Sequence, residues 1–226
     1  MTGFILRRML KQMVKRFLAN RDIDLRLKPP DRALLEGRIL PWLAGLEESR
    51  RVLFVGCEWY TQGYRRWFQP DTYWTIDCDP EKKSFGAPAR HLVDSMANTA
   101  AHFPAASLDL VICNGVFGWG LDARPDIEAA FTAVHHVLRP GGLFLLGWND
   151  VPQHRPMPLT DIAPLDAFEP AVIAPLGASS FLTDTANRHT FNLYVRPGAE
   201  RVRMNVTHRG FSGRRNGQTF PQAAGP

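Results

Sequence analysis

Along the middle of the chain, short apolar runs alternate with stretches whose apolar residues recur every three or four positions. The runs are Arg51–Gly56 (RVLFVG), Tyr73–Asp77 (YWTID), His91–Val93, Leu108–Cys113 (LDLVIC) and Leu143–Trp148 (LFLLGW). Each reads as a strand buried on both faces. Between them Gln62–Phe68 reads as helical, and Asp126–Leu138 places Ile127, Ala130, Phe131, Val134, Val137 and Leu138 on one helical face. Apolar strands separated by helices predict a mostly parallel sheet covered on both sides. Pro140-Gly141-Gly142 predicts a tight turn before the fifth strand. Two later runs, Ala171–Pro175 and Thr190–Arg196, lie close enough to form an antiparallel hairpin at one edge, giving seven strands in all.

The flanks read differently. Ile5, Leu6, Met9, Leu10, Met13, Val14, Phe17 and Leu18 share a helical face, with Arg7, Arg8, Lys11 and Lys15 mostly elsewhere. Such a helix either lies on an anionic membrane surface or packs on the domain or a partner subunit with its basic face in water. Lys28-Pro29-Pro30 ends it, and Asp31 is expected to cap a second helix running to Leu46 and bent near Pro41. From Pro197 onward Gly, Arg, Asn, Gln and Pro predominate, which predicts disorder. The organisation expected is therefore a basic amphipathic helix at 1–28, one α/β domain at 29–197 and a basic tail at 198–226.

Composition changes this picture little. The 226 residues carry a net charge of +5 and a pI near 9.4, but the excess sits at the two ends, so it describes the tails rather than the domain. Three cysteines make an odd count, which fits a reducing compartment better than a disulfide framework. No run approaches the roughly 18 apolar residues of a membrane span, and Arg7 and Arg8 interrupt any signal-like stretch. The expectation is a cytoplasmic protein, with residues 1–20 as the place for any peripheral membrane contact.

The order of elements, with particular residues at the strand ends, resembles the class I S-adenosylmethionine-dependent methyltransferases, of the kind with a type 11 methyltransferase domain. The likeness covers about two-thirds of the chain. It rests on V-L-F-V-G-C-E (52–58), W-T-I-D-C-D-P (74–80), H-L-V-D-S (91–95), F-P-A-A-S-L-D-L-V-I-C-N (103–114) and V-L-R-P-G-G-L-F (137–144). It implies a Rossmann-like sheet of seven strands, mostly parallel, with helices on both faces and an antiparallel edge hairpin. It also implies S-adenosylmethionine as cofactor, held at the carboxyl ends of the strands. On this likeness Gly56, Cys57 and Glu58 form the first cofactor loop. Asp77 accepts hydrogen bonds from the ribose hydroxyls, and Asp94 accepts one from the adenine amino group with the Ser95 backbone beside the ring. Asn114 closes the fourth strand next to them. Asp79 reads as the cap of a helix at Pro80, and Asp109 as structural.

The first loop departs from the family's pattern. Phe54 stands where an acidic residue is usual, and Glu58, followed by Trp59 and Tyr60, where a second glycine is usual. Phosphates need close backbone approach, so this loop argues against a dinucleotide cofactor; S-adenosylmethionine has no phosphate and looser demands. Glu58 is placed to meet the cofactor's ammonium in place of the missing acid. The alternative is that Glu58 faces solvent and Trp59 closes the pocket, leaving a non-catalytic binding or scaffolding relative. Cys57, Cys78 and Cys113 fall just past neighbouring strand ends; without paired short spacing they read as small buried thiols, and no metal is expected.

Methyl transfer from a sulfonium needs alignment and exclusion of water more than a fixed catalytic triad. Acceptor-side candidates follow the fourth strand (Asn114, Phe117, Trp119) and the fifth (Trp148, Asn149, Asp150). The polar loop at 183–189 adds Arg188 as an anion clamp, and His189 and Asp150 are the candidate bases. Asn114 is followed by Gly-Val-Phe rather than the Pro-Pro-aromatic sequence linked to adenine or glutamine methylation, which disfavours a nucleic-acid substrate. A small molecule, or a lipid- or glycan-linked acceptor at a membrane, is the expected partner.

Overall fold

The computed structural model describes residues 29–47 and 51–198; the expected helix at 2–20 and the carboxyl-terminal tail lie outside the described residues. The strands are β1 (Val52–Val55), β2 (Tyr73–Asp77), β3 (His91–Val93), β4 (Leu108–Asn114), β5 (Leu138–Asn149), β6 (Glu169–Pro170), β7 (Ser180–Leu182) and β8 (His189–Val195). They form one sheet of eight strands in the order β3-β2-β1-β4-β5-β8-β6, with β7 also on β8. The first five are parallel, and β8 is antiparallel to β5. Strand order reverses between β1 and β4, which opens a crevice at their carboxyl ends.

Alternation along the strands shows why both faces are covered. Leu53 and Val55 join a core beneath α4 (Arg124–Val137), with Ile127, Phe131, Val134 and Phe144. Val52 and Phe54 join the opposite core, with Leu35, Ile39, Leu40, Leu43 and Tyr64. Burying one such side chain contributes about 1.5–3 kcal/mol. The second core is roofed by a helical run made of α1 (Pro30–Leu34), a π turn at Leu35–Ile39 and α2 (Leu40–Ala44). The expected break near Pro41 is thus a widened turn just before it. Pro29 rather than Asp31 takes the capping position, and Asp31 lies in the first turn. A short α3 (Thr99–His102) follows β3. None of the helices among the described residues is long and apolar enough to cross a membrane.

Two expected elements differ. Pro140-Gly141-Gly142 lies within β5, where Leu108 pairs with Leu138 but Leu110 pairs with Leu143, so the turn is a bulge in a continuous strand. Gly141 has φ +79°, and a Cβ on Gly142 would sit 2.8 Å from the Arg139 carbonyl oxygen. The edge hairpin is built from β6 and β7 against β8, and the expected strand at Ala171–Pro175 is mostly a loop whose Ala171 N–H still donates to Leu193 O. Two short segments share the outer edge of β8, which raises the strand count to eight.

Local signals held at several ends. Asp79 caps the 3-10 turn Pro80–Phe85 by accepting from the Glu81 N–H (2.9 Å). Asp109 sits near the start of central strand β4, at the opposite end from the crevice, where it accepts from Arg51 N (2.7 Å) and Arg139 Nε (2.5 Å). It ties the starts of β1, β4 and β5 together, as a structural carboxylate would.

Candidate active site

The crevice is lined by strand ends. Asp77 closes β2, and its carboxylate accepts from the Cys57 N–H (2.6 Å) and the Asp79 N–H (2.9 Å). It therefore draws the first and second loops together while about two of its four lone-pair positions stay available. Gly56 has φ +86°, and a Cβ there would overlap Val116 Cγ2. The glycine is required by the approach of the loop after β4, on the side where a ligand was expected. Asp94 closes β3 and accepts from Ser95 N, Asn98 Nδ2 and His102 Nε2, each at 2.7 Å. Those bonds, Asn98 first and then His102 and Ser95, hold its carboxyl below the usual range and leave about one position for a further donor. The Ser95 hydroxyl is used locally, accepting from Ala97 N (3.2 Å).

Glu58 does not stand free. Its carboxylate is paired with Lys82, and its N–H donates to Thr61 Oγ1 (3.0 Å). Trp59 packs against Cys57 and Phe85 and meets Tyr60 edge-on.

Where β4, β5 and β8 meet, three buried polar side chains form one cluster. His189 Nδ1 lies 2.6 Å from Asn149 Oδ1, and Nε2 lies 3.1 Å from Asn114 Oδ1. Burial lowers the imidazole to about 4, so it is neutral and carries a single N–H. Two carbonyl oxygens cannot both accept from it. Turning the Asn114 amide over lets its Nδ2, which is buried without a partner, donate to Nε2 while Nδ1–H donates to Asn149. Gly147 makes room for this: a Cβ there would overlap the Asn114 amide and lie 3.0 Å from His189 Nε2.

The mouth is roofed from α1. The Arg32 guanidinium lies over the Tyr60 ring (4.6 Å to its centroid), and Nη1 donates to Tyr64 Oη (3.0 Å), which donates to the buried Glu36 (2.9 Å). Nη2 reaches toward Gly115 at the end of β4, 3.8 Å from where a Cβ would stand. The sequence reading missed this group. Its only signal was Arg32 and Glu36 four apart on a helix.

The sequence of residues 53–146 matches the methyltransferase domain family. By that match, residues 53–146 are a methyltransferase domain. Solved structures agree at the level of the fold. The N-methyltransferase NodS of Bradyrhizobium japonicum WM9 superposes with a TM-score of 0.50 at 17% identity, covering 70% of this chain and 93% of that one. Its complex with S-adenosyl-l-homocysteine gives 0.51 at 16% identity, covering 81% and 99%. A TehB-like SAM-dependent methyltransferase of Corynebacterium glutamicum gives 0.50 at 17%, covering 73% and 93%. No curated protein matches the chain.

S-adenosylmethionine is the cofactor of this domain class, and the donor set fits it. The remaining acceptor positions on Asp77 suit two ribose hydroxyls, and the one on Asp94 suits an exocyclic amine. Just past the end of β5, Asp150 pairs with Arg155 (2.7 Å) and Arg188 (3.5 Å). Trp119 is 54% exposed and stacks on His154 at 3.8 Å, forming a flat rim. Phe117 and Trp148 instead pack inside the core; Trp148 alternates along β5 with Gly147 and Asn149, which lie at the polar cluster. Among the described residues no group of three His, Cys, Asp or Glu side chains could hold a metal ion.

The thiols also divide. Cys57 and Cys113 are buried while Cys78 is exposed, so the reading of three buried thiols holds for two. Burial, with Asp77 adding to it at Cys57, pushes both buried thiols up to about 12. At pH 8 iodoacetamide is expected to label Cys78 alone in the folded domain, and all three after denaturation. Mass spectrometry showing equal labelling of Cys57 would contradict the packing of the first loop.

Proposed function

We propose that the domain transfers the methyl group of S-adenosylmethionine to a small-molecule acceptor, or to a lipid- or glycan-linked one should residues 1–20 bring the chain to a membrane. The observation that carries this is Asp77, whose carboxylate ties two loops together yet keeps acceptor capacity toward the mouth. The cofactor supplies an activated methyl group and its own leaving group. The chain's residues bind and orient. Asp77 and Asp94 fix the nucleoside, the His189–Asn114–Asn149 cluster holds the floor, and Trp119 with His154 offers the acceptor a flat surface. Of the two candidate bases, Asp150 keeps partial solvent contact, while neutral His189 is bonded at both nitrogens and serves to position the two amides. Asp150 pairs with two arginines, so an acceptor that arrives with a free lone pair, such as an amine, suits this mouth better than a hydroxyl.

Calorimetric titration with S-adenosylhomocysteine tests the reading. Micromolar binding by the wild type is expected, weakened about tenfold or more in Asp77→Ala, with thermal melting to show that the variant is folded. A second reading, a binding or scaffolding protein that keeps the fold without transfer, is favoured by Val116 seated on Gly56 and Glu58 tied to Lys82. Failure of folded wild type to bind would select it.

A further inference from the structure

The loops that follow β4 and β5 are locked together at the carboxyl end of the sheet. Gly118 has φ +81°, and a Cβ there would overlap the His154 carbonyl oxygen. The Gly118 carbonyl accepts from His154 Nδ1 (3.2 Å), and Trp119 stacks on the same imidazole at 3.8 Å and 14°. His154 covers one face of the indole, which is still 54% exposed, so the other face is open. This platform is tied to the first cofactor loop. The Trp119 N–H donates to Val116 O (2.8 Å), and Val116 is the side chain seated on Gly56.

The same turn carries charge. Arg155 follows His154 directly, and its Nη1 donates to Asp150 Oδ1 (2.7 Å). Arg188 Nη2 lies 3.5 Å from the other oxygen of that carboxylate. Neither arginine lies within ion-pair distance of any other carboxylate among the described residues, Asp184 of the 183–189 loop included. One negative charge is thus shared by two positive ones. Arg188 is held at φ +48°, uncommon for a residue with a side chain. Its N–H donates to Thr185 O (2.9 Å), and its carbonyl accepts from Asp150 N (3.1 Å) and Thr190 Oγ1 (3.1 Å). A strained backbone pinned by three hydrogen bonds fixes where this cation leaves the loop.

We propose that this corner selects a planar aromatic acceptor bearing a carboxylate, with the ring on the open face of Trp119 and the acid on Arg188. The assignment rests on the methyl-transfer reading above and names its substrate class. An indole face stacks any flat ring and would also attract a cation. The single net positive charge of Asp150, Arg155 and Arg188 opposes the cation and favours a monoanion, whose planar carboxylate matches a guanidinium fork.

NMR titration of the full chain saturated with S-adenosylhomocysteine tests this with indole-3-acetate, its uncharged amide, and cyclohexylacetate, an acid without the flat ring. The wild type is expected to bind indole-3-acetate about tenfold tighter than either of the others. Trp119→Leu weakens indole-3-acetate about tenfold and leaves cyclohexylacetate within about twofold. Arg188→Gln brings indole-3-acetate down to the level of the amide, and Arg188→Lys falls between. Thermal melting checks that these exposed substitutions leave the fold intact. The affinity for S-adenosylhomocysteine stays within about twofold throughout. A marked drop in Arg188→Gln would assign the arginine to the cofactor's own carboxylate and overturn the proposal. Equal binding of acid and amide overturns it, as does binding indifferent to Trp119. A folded wild type that does not bind S-adenosylhomocysteine removes the methyl-transfer reading, and the same probes then decide the corner on the free protein.

Discussion

Gly147→Ala is expected to destabilise the domain by about 2–6 kcal/mol, read from the midpoint of urea unfolding. Gly147 lies near the end of β5, between β4 and β8, and pairs with Asn114 on one side and Phe191 on the other. Its missing Cβ is the space that the Asn114 amide occupies, and His189 Nε2 would be only 3.0 Å from that carbon. The methyl group has no flexible surface side chain to push aside. Both neighbours are buried, and both are hydrogen bonded into the same cluster. Overpacking of this kind costs about 1–3 kcal/mol, and a buried amide displaced from its partner adds about 1–3 kcal/mol. Asn114→Ala removes the obstructing group, so the double variant should lose less than the sum of the single losses. Additive losses, or a Gly147→Ala protein as stable as its parent, would show that the cluster does not pack as described.

The second large effect is a loss of stability in mild acid. Burial lowers His189 in the folded domain to about 4, against ~6.5 for a free imidazole. As pH falls, the unfolded chain takes up this proton first. Above pH ~6.5 both states are neutral and His189 adds no pH dependence. Between there and about 4 the folded state loses about 1.4 kcal/mol per pH unit, about 3 kcal/mol in total. His91 and His135 are also lowered by burial and slope the same way, so the informative quantity is a difference between two proteins. His189→Gln keeps hydrogen-bonding capacity without a titration in this window. It should be less stable than the parent at pH 8 and should lose markedly less between pH 7 and 5. Parallel stability curves for the two proteins would mean that His189 is not held neutral.

Much of the sheet was legible because β1, β4 and the carboxyl half of β5 are apolar runs buried on both faces, which need no partner to be recognised. The residues closing those strands, Gly56, Asp77, Asp94 and Asn114, emerged from the same runs. The side-chain partners of those residues did not. Asn114, Asn149 and His189 were each read as facing the mouth, but nothing in a linear pattern joins residues 75 apart, as Asn114 and His189 are. Arg32 was read only as part of a helix, since its partners come from elsewhere, Tyr60 from the loop after β1 and Tyr64 from the 3-10 turn Gln62–Trp67. Glu58 was read as a ligand for an ammonium because Lys82, 24 residues on, carries no local sign of folding back to it. The segments β6 and β7 are two and three residues long, and β6 contains a proline, so neither shows an alternation. Only the exposed edge of β8 makes strands of them.

The π turn at Leu35–Ile39 has a mechanical consequence. One extra residue in a helical turn rotates the upstream half of the helix by about 100° relative to the downstream half. Downstream, Leu40 and Leu43 are locked into the core and set the azimuth of that half. Upstream, Arg32 answers to the mouth through Tyr60 and Tyr64. The widened turn works as a phase shifter between two halves of one rod, so that the aim of the guanidinium is set independently of the packing that anchors the helix.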